Sequence, residues 1–80
     1  MIIKVLGPGC ANCVNLARVT REAVDQLGID ATIEKVEDYP TIVEYGVMRT
    51  PALVIDEEVV VSGRVPTAAA VRELISARLG

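Results

Sequence analysis

IIKVLGPGCANC, residues 2–13, is the segment of this 80-residue chain that indicates its fold most clearly. Its first five residues form a short apolar run typical of a central strand, and Gly7-Pro8-Gly9 marks a turn. From Cys13 onward, residues suited to burial recur at helical spacing on one face, and these are Leu16, Ala17, Thr20, Ala23, Val24 and Leu27. The pattern predicts a strand, a turn and an amphipathic helix that ends at Gly28.

The two cysteines of the chain, Cys10 and Cys13, lie at the junction of the predicted strand and the predicted helix. This position places Cys10 at the helix N-terminus, where unpaired N–H groups and the helix dipole favour a thiolate over a thiol. Cys13 falls on the buried face of the helix and Cys10 does not. A disulfide that closes so short a loop contributes only about 2 kcal/mol to stability, against about 3 kcal/mol for a fifteen-residue loop. The spacing therefore indicates reactive thiols rather than a structural crosslink.

Length and composition indicate one domain over residues 1–80, without a repeat, a linker or a low-complexity segment. The net charge is −3 and the 8 basic residues are scattered, which argues against nucleic-acid binding. The first residues lack the basic region of a signal peptide and the long apolar run of a membrane span. We therefore expect a cytoplasmic protein that does not bind membranes, in a compartment where a cysteine pair is normally reduced.

The rest of the chain continues with short elements of both types. A strand of mixed polarity, suited to a sheet edge, is followed by a short helix that Asp38 caps and Gly46 ends. Two further strands form a hairpin, and Thr67 caps a last helix that ends at Arg78 and Gly80. The strands after the first are predicted at 31–36, 52–55 and 59–62, with a turn at 56–58. The order β-α-β-α-β-β-α predicts an α/β fold with a four-stranded mixed sheet flanked by three helices.

A Cys-x-x-Cys after the first strand of this order resembles the thioredoxin fold. The segment EYGVMRTPALVI, residues 44–55, strengthens the resemblance, because it is similar to the thioredoxin and glutaredoxin stretch that presents a cis-proline opposite the cysteines. Over essentially the whole chain, the resemblance is greatest to small glutaredoxin-like thioredoxins, also called redox-active disulfide proteins. It implies that Cys10 is the nucleophile, Cys13 the resolving thiol and Pro51 the cis-proline, with the backbone of Thr50 available to a bound peptide.

Three further residues are candidates at the site that the resemblance implies. Gly63 matches a glycine that lets substrate approach near the end of the last strand. Arg49 either is solvated or supports a bound thiolate or a substrate carboxylate. Lys4 stands where thioredoxins carry a buried aspartate, and its ammonium group either reaches solvent or lowers the pKa of Cys10. The glutathione motif of glutaredoxins is absent, because the segment 62–65 reads SGRV instead.

These observations predict a thiol–disulfide oxidoreductase that reduces or exchanges disulfides in proteins or small molecules. The redox-active Cys10–Cys13 disulfide is then the cofactor, an electron-donor reductase reopens it, and neither a metal nor another cofactor is required. We expect a monomer. The rival interpretation is a soft-metal module that holds Cu(I) between two thiolates, as in heavy-metal-associated domains, whose order β-α-β-β-α-β ends in a strand rather than a helix. A redox sensor without turnover is the third alternative.

Overall fold

Strand β1 (Ile2–Leu6) lies in the interior of the sheet, as its apolar sequence predicts. The computed structural model describes residues 1–79, and in it β1 pairs in parallel with β2 (Thr32–Val36) and antiparallel with β3 (Ala52–Ile55). Strand β3 pairs in turn with β4 (Glu58–Ser62), which gives the sheet order β2-β1-β3-β4. Strand β2 is therefore an edge strand, in agreement with its mixed polarity.

Two helices connect strands, α1 (Ala11–Leu27) between β1 and β2 and α2 (Tyr39–Glu44) between β2 and β3, and the third helix of the described residues, α3 (Ala68–Leu79), follows β4. Helix α1 is capped by Cys10 and ends at Gly28, whose left-handed backbone (φ 64°) favours glycine. The side chains of Asp38 and Thr67 accept hydrogen bonds from backbone N–H groups in the first turns of α2 and α3, so both predicted caps are confirmed. Gly80, the predicted end of α3, lies outside the described residues.

The sheet separates two hydrophobic cores, because side chains alternate between the two faces of a strand. Ile3 and Val5 of β1 belong to the larger core, which also contains buried side chains of α1 and α3. Leu6 belongs to the smaller core, together with Ile42 of α2. Burial of each large apolar side chain contributes about 1.5–3 kcal/mol, so packing on both faces holds β1 firmly. The residues that follow β1 thereby acquire a fixed position at the end of the sheet.

The turn between β3 and β4 is shorter than the sequence predicts. Asp56 and Glu57 form it with positive φ values of 47° and 71°, and Glu58 already belongs to β4. Positive φ at both central residues gives the twist that suits a two-residue hairpin. The predicted turn at 56–58 is therefore wrong by one residue, because polarity alone does not separate a turn residue from an exposed strand residue.

The architecture otherwise follows the sequence pattern. The predicted order β-α-β-α-β-β-α, the four-stranded mixed sheet and the three helices are all confirmed. Among residues 1–79, no helix has the length and apolar character needed to cross a membrane. The segments 7–10, 37–38 and 49–51 all lie at the end of the sheet where β1 and β2 finish and β3 begins.

Candidate active site

Gly7 directly follows β1 and allows the chain to pass close to the cysteines. Its N–H donates to the carbonyl oxygen of Val36 (2.9 Å), which holds it beside the end of β2. A Cβ atom at Gly7 would lie 2.2 Å from Sγ of Cys13 and 3.6 Å from Cβ of Thr50. A side chain at this position would occupy the space of the Cys13 sulfur. Glycine is therefore required for the end of β1, the start of α1 and the loop before β3 to pack together.

Cys10 and Cys13 are free thiols in contact across the first turn of α1. Sγ of Cys10 lies 2.7 Å from Sγ of Cys13 and accepts a hydrogen bond from the N–H of Cys13 (3.4 Å). The backbone of Cys10 is extended (φ −70°, ψ 169°), which is the usual conformation of a helix cap. Cys10 is exposed, whereas Cys13 is only 5% exposed. The two sulfurs therefore lie together, and Cys10 is the one accessible to a large substrate.

The surroundings shift the pKa values of the two thiols in opposite directions. The hydrogen bond with the Cys13 thiol, aided by N–H groups of the first helical turn, lowers the pKa of Cys10 below its ordinary value. Burial, together with the hydrogen bond to Cys10, raises the pKa of Cys13. When the pair holds a single proton, that proton therefore resides on Cys13. Because the thiolate is the nucleophile in disulfide exchange, Cys10 is the sulfur prepared to attack.

The peptide bond between Thr50 and Pro51 is cis, as the resemblance implies. Pro51 is buried, and Thr50 is half-buried beside Gly7. The N–H of Gly63 donates to the carbonyl oxygen of Pro51 (2.8 Å), which connects the loop before β3 with the end of β4. Among residues 1–79, the N–H and carbonyl of Thr50 have no backbone partner. The backbone of Thr50 thus remains able to pair with an added strand.

Gly63 and Arg49 pack directly against each other after β4. A Cβ atom at Gly63 would lie 3.1 Å from Cβ and 3.3 Å from Cδ of Arg49, so the aliphatic part of the Arg49 side chain covers Gly63. Gly63 has φ 79°, a conformation that favours glycine. The hydroxyl of Ser62 donates to the carbonyl oxygen of Arg49 (3.1 Å). The resemblance implies that a substrate approaches Gly63, but the Arg49 side chain occupies part of the space beside this glycine. Gly63 and Arg49 therefore form one continuous surface.

Lys4 lies in a polar cluster with Tyr45 and Glu57, which we call the lysine cluster. Nζ of Lys4 donates to Oη of Tyr45 (2.7 Å) and to Oε1 of Glu57 (2.8 Å), and Oη of Tyr45 donates to Oε2 of Glu57 (2.9 Å). The hydrogen bond to Glu57 and the one to Tyr45 raise the pKa of Lys4, and the hydrogen bond from Lys4 lowers the pKa of Glu57. The cluster joins β1 to the end of α2 and to the β3–β4 turn.

Of the two alternatives for Lys4, solvation or a lowering of the Cys10 pKa, the second is corrected by this arrangement, because the ammonium group is bound to Tyr45 and Glu57. Lys4 alternates along β1 with Val5, and Val5 is the residue on the same side of the sheet as Cys13. The groups that lower the pKa of Cys10 are hydrogen-bond partners in its own helical turn, the thiol of Cys13 first among them. The sequence position of Lys4 near the cysteines did not indicate which face of the sheet its side chain occupies.

A cleft of about 230 Å³ opens beside Cys13 on the β2 side of the site. It is lined by Val5, Gly7, Gly9, Cys13, Val14, Lys35 and Glu37. Oε2 of Glu37 would lie 3.0 Å from a Cβ atom at Gly9, so this carboxylate adjoins the loop that leads to Cys10. Sequence reasoning missed Lys35 and Glu37. The parallel pairing of β1 and β2 carried a signal for Glu37, because the carboxyl ends of parallel strands meet at one end of a sheet.

Metal binding would have to rely mainly on the two sulfurs. Within residues 1–79, no three His, Cys, Asp or Glu side chains form a group that could hold a metal ion. Two thiolates are a ligand set that Cu(I) accepts, whereas a structural zinc site takes four ligands. The opposed pKa shifts and the different exposure of the two sulfurs match what the successive steps of disulfide exchange require.

Comparison with known proteins agrees with this geometry. A family model described as a thioredoxin domain matches residues 1–76. A protein named thioredoxin from Methanothermobacter thermautotrophicus is 41% identical over 76 residues, which cover 95% of this chain and 99% of the relative. Another protein named thioredoxin, from Methanocaldococcus jannaschii, is 34% identical over 79 residues, which cover 99% of this chain and 91% of the relative. The expected membership of the thioredoxin family is thus confirmed, and the chain belongs to this family of thiol–disulfide oxidoreductases.

Proposed function

We propose that this protein reduces or exchanges disulfides of protein or small-molecule substrates through Cys10 and Cys13. The observation that carries the proposal is the pair of sulfurs 2.7 Å apart, with the pKa of the exposed Cys10 lowered and that of the buried Cys13 raised. An exposed thiolate attacks a substrate, and a buried thiol that keeps its proton does not compete with it.

The reaction proceeds in two exchange steps. The Cys10 thiolate attacks one substrate sulfur, forms a mixed disulfide and expels the other substrate sulfur as a thiolate, which takes up a proton. Cys13 then loses its proton and attacks Sγ of Cys10, which closes the Cys10–Cys13 disulfide and releases the second substrate sulfur. Two electrons have passed from the cysteine pair to the substrate disulfide. An electron-donor reductase of dithiol type reopens the Cys10–Cys13 disulfide by the same exchange in reverse.

Substrate binding in this proposal uses the surface on the β3–β4 side of Cys10. The unpaired backbone groups of Thr50 support pairing with an extended segment of the substrate, the mode known as β-augmentation. Pro51, Gly63 and Arg49 shape the surface around Thr50. We propose further that the protein acts as a monomer in the cytoplasm and needs no cofactor besides its own cysteine pair.

A trapping experiment tests the proposal. Reduced Cys13→Ser protein, mixed with a synthetic disulfide peptide, is expected to accumulate a mixed disulfide at Cys10, because the resolving thiol is gone. Cys10→Ser protein is the matched control and is expected to accumulate little, since Cys13 is buried and protonated. Wild-type protein should instead release reduced peptide and end with an intramolecular disulfide. Intact-mass measurement distinguishes the three products.

Two other outcomes would contradict the proposal. Freshly purified wild-type protein that carries one soft metal ion per chain, and whose thiols react with the peptide only after the metal is removed, would favour a metal-binding module. Formation of the Cys10–Cys13 disulfide by a mild oxidant, without any reduction of disulfide peptides, would favour a redox sensor.

A further inference from the structure

Arg49 is held in place beside Thr50 and Pro51 by contacts at both its backbone and its side chain. The hydroxyl of Ser62 donates to the Arg49 carbonyl oxygen (3.1 Å), and the aliphatic part of the Arg49 side chain lies against Gly63. Gly63 is itself fixed by its hydrogen bond to the carbonyl oxygen of Pro51 (2.8 Å). An arginine whose stem is already ordered loses less conformational entropy when its guanidinium group binds a ligand.

Arg49 is exposed, and its guanidinium group has no ion-pair partner among residues 1–79. Three other cations are paired, namely Lys4 with Glu57, Arg18 with Glu22 and Arg78 with Glu58. The remaining cations, Arg21, Lys35, Arg64 and Arg72, have no ion pair within the described residues either, so the position of Arg49 beside Thr50 is what distinguishes it. A guanidinium group on an ordered stem, in the residue that precedes Thr50 and its open backbone, is therefore free to bind a carboxylate, which it can do with two parallel hydrogen bonds.

Lys35, Glu37 and Arg64 are further charged residues in this part of the molecule, and they do not neutralise the positive charge of Arg49. Lys35 and Glu37 line one cleft on the β2 side, where they carry opposite charges. Arg64 follows Gly63 but lines a groove against α3 that also contains Glu73. Because β2 and β4 are the opposite edges of the sheet, the charges of Lys35 and Glu37 lie away from Arg49, which is an unpaired cation on the β3–β4 side.

We propose that Arg49 determines substrate specificity, and that it selects polypeptide disulfides with an aspartate or glutamate close to the cysteine that Cys10 attacks. This inference rests on the proposed function, since it concerns the segment that pairs with Thr50 during disulfide exchange. The acidic side chain would lie on the β4 side of that segment, against the guanidinium group. A single exposed ion pair of this kind contributes modestly, so we expect a preference of about two- to fivefold.

The test compares synthetic peptides that contain one intramolecular disulfide and have blocked termini. Each peptide pair differs only by Asp against Asn, at one position within two residues of the attacked cysteine. The readout is the ratio of kcat/KM for the Asp peptide to that for the Asn peptide with the same enzyme, so any general loss of activity cancels. We expect wild-type protein to favour the Asp member for at least one position, and the ratio should approach one as salt screens the charges.

Substitutions at Arg49 should change the ratio in a graded way. Arg49→Gln should bring it close to one, Arg49→Glu should bring it below one, and Arg49→Lys should retain part of the preference. Arg21→Gln is the matched control, because Arg21 is an exposed arginine on α1, away from the cysteines, and it lacks an ion partner in the described part of the chain. Its ratio should equal that of wild type.

Three results would overturn the inference. The first is a wild-type ratio near one at every position tested, and the second is an equal change of the ratio in Arg49→Gln and Arg21→Gln. The third is a dependence on Arg49 that is found only with a small anionic disulfide such as oxidised glutathione and not with the peptides. Failure of the proposed function would look different, because wild-type protein would then reduce neither member of any peptide pair.

Discussion

The cysteine site and the lysine cluster both depend on β1, but they use polar groups in opposite ways. In the cysteine site, hydrogen bonds and burial within one helical turn separate the pKa values of two neighbouring thiols. In the lysine cluster, full charges on Lys4 and Glu57 are paired and joined by the hydroxyl of Tyr45. The cation nearest in sequence to Cys10 is thus bound to Tyr45 and Glu57, whereas the pKa of the Cys10 thiol is lowered by groups of its own helical turn.

The pleat of β1 explains this division. Val5 contributes to the cleft beside Cys13, and Lys4, the preceding residue, necessarily faces the other side of the sheet. On that side, the end of α2 supplies Tyr45 and the β3–β4 turn supplies Glu57. A one-residue change of register would exchange the two faces, so the position of Lys4 is set by the packing of its apolar neighbours.

The largest effect is expected from Gly7→Ala, which tests the close packing at the cysteine site. The added Cβ would fall 2.2 Å from Sγ of Cys13, so the sulfur or the backbone must move. We expect a loss of about 1–3 kcal/mol in the free energy of unfolding of the reduced protein, as for other overpacked sites. Disulfide reduction should fall as well, because Cys13 would no longer lie against Cys10. Urea denaturation and single-turnover peptide reduction measure the two effects.

A double-mutant cycle provides the control for Gly7→Ala. In a Cys13→Ala background the nearest atoms to the new Cβ are the Cβ of residue 13, at 3.3 Å, and the Cβ of Thr50, at 3.6 Å. The destabilisation caused by Gly7→Ala should therefore be clearly smaller in that background. An equal penalty in both backgrounds would show that the sulfur is not the obstacle.

The second largest effect is expected on the pKa of Cys10, and it shows whether this pKa depends on the cysteine site or on the lysine cluster. Cys13→Ala removes the largest cause of the lowered pKa, so the Cys10 pKa should rise toward its ordinary value of 9.0 and alkylation at neutral pH should slow severalfold. Cys13→Ser, which keeps a hydroxyl donor, should show a smaller rise. Thiolate absorbance against pH measures both. Taken alone, the lowered pKa of Cys10 favours the reduced fold above pH 9.0 and loses this contribution as the pH falls through the folded-state pKa, whereas the raised pKa of Cys13 acts against the fold at high pH.

Lys4→Met should have the smallest effect on the thiol, and it serves as the control for the preceding experiment. The pKa of Cys10 should stay at its wild-type value, because the Lys4 ammonium group is bound to Tyr45 and Glu57. A clear rise in the Cys10 pKa would restore the hypothesis that Lys4 activates the nucleophile.

The same substitution should lower Tm in a pH-dependent manner. Glu57 has a lowered pKa, so its contribution to stability is present above its ordinary value of 4.5 and is lost as the pH falls through the folded-state value. Lys4 has a raised pKa, so its contribution is present below its ordinary value of 10.5 and is lost at higher pH. The Tm difference between wild type and Lys4→Met should therefore be largest between these values. Tyr45→Phe, which leaves the ion pair intact, should lower Tm less.

Local patterns were sufficient for the elements and for the reactive pair. The helical spacing after Cys13 predicted the buried face of α1, and that face in turn distinguished the buried Cys13 from the exposed Cys10. Such predictions succeed because helix periodicity and capping depend on residues close together in the chain. The turn at Asp56 and Glu57 was less accurately predicted, because its backbone geometry depends on how β3 and β4 pair.

The order of the elements, the placement of Cys10 and Cys13 at the start of α1 and the family resemblance could all be inferred from the sequence alone. The folded structure was needed to show that Lys4 binds Tyr45 and Glu57, that Glu37 adjoins Gly9, and that Arg49 lies against Gly63. Each of those contacts joins residues more than ten positions apart in the chain. Their formation depends on strand order and on the face that each side chain occupies, and the packing of the two cores fixes both.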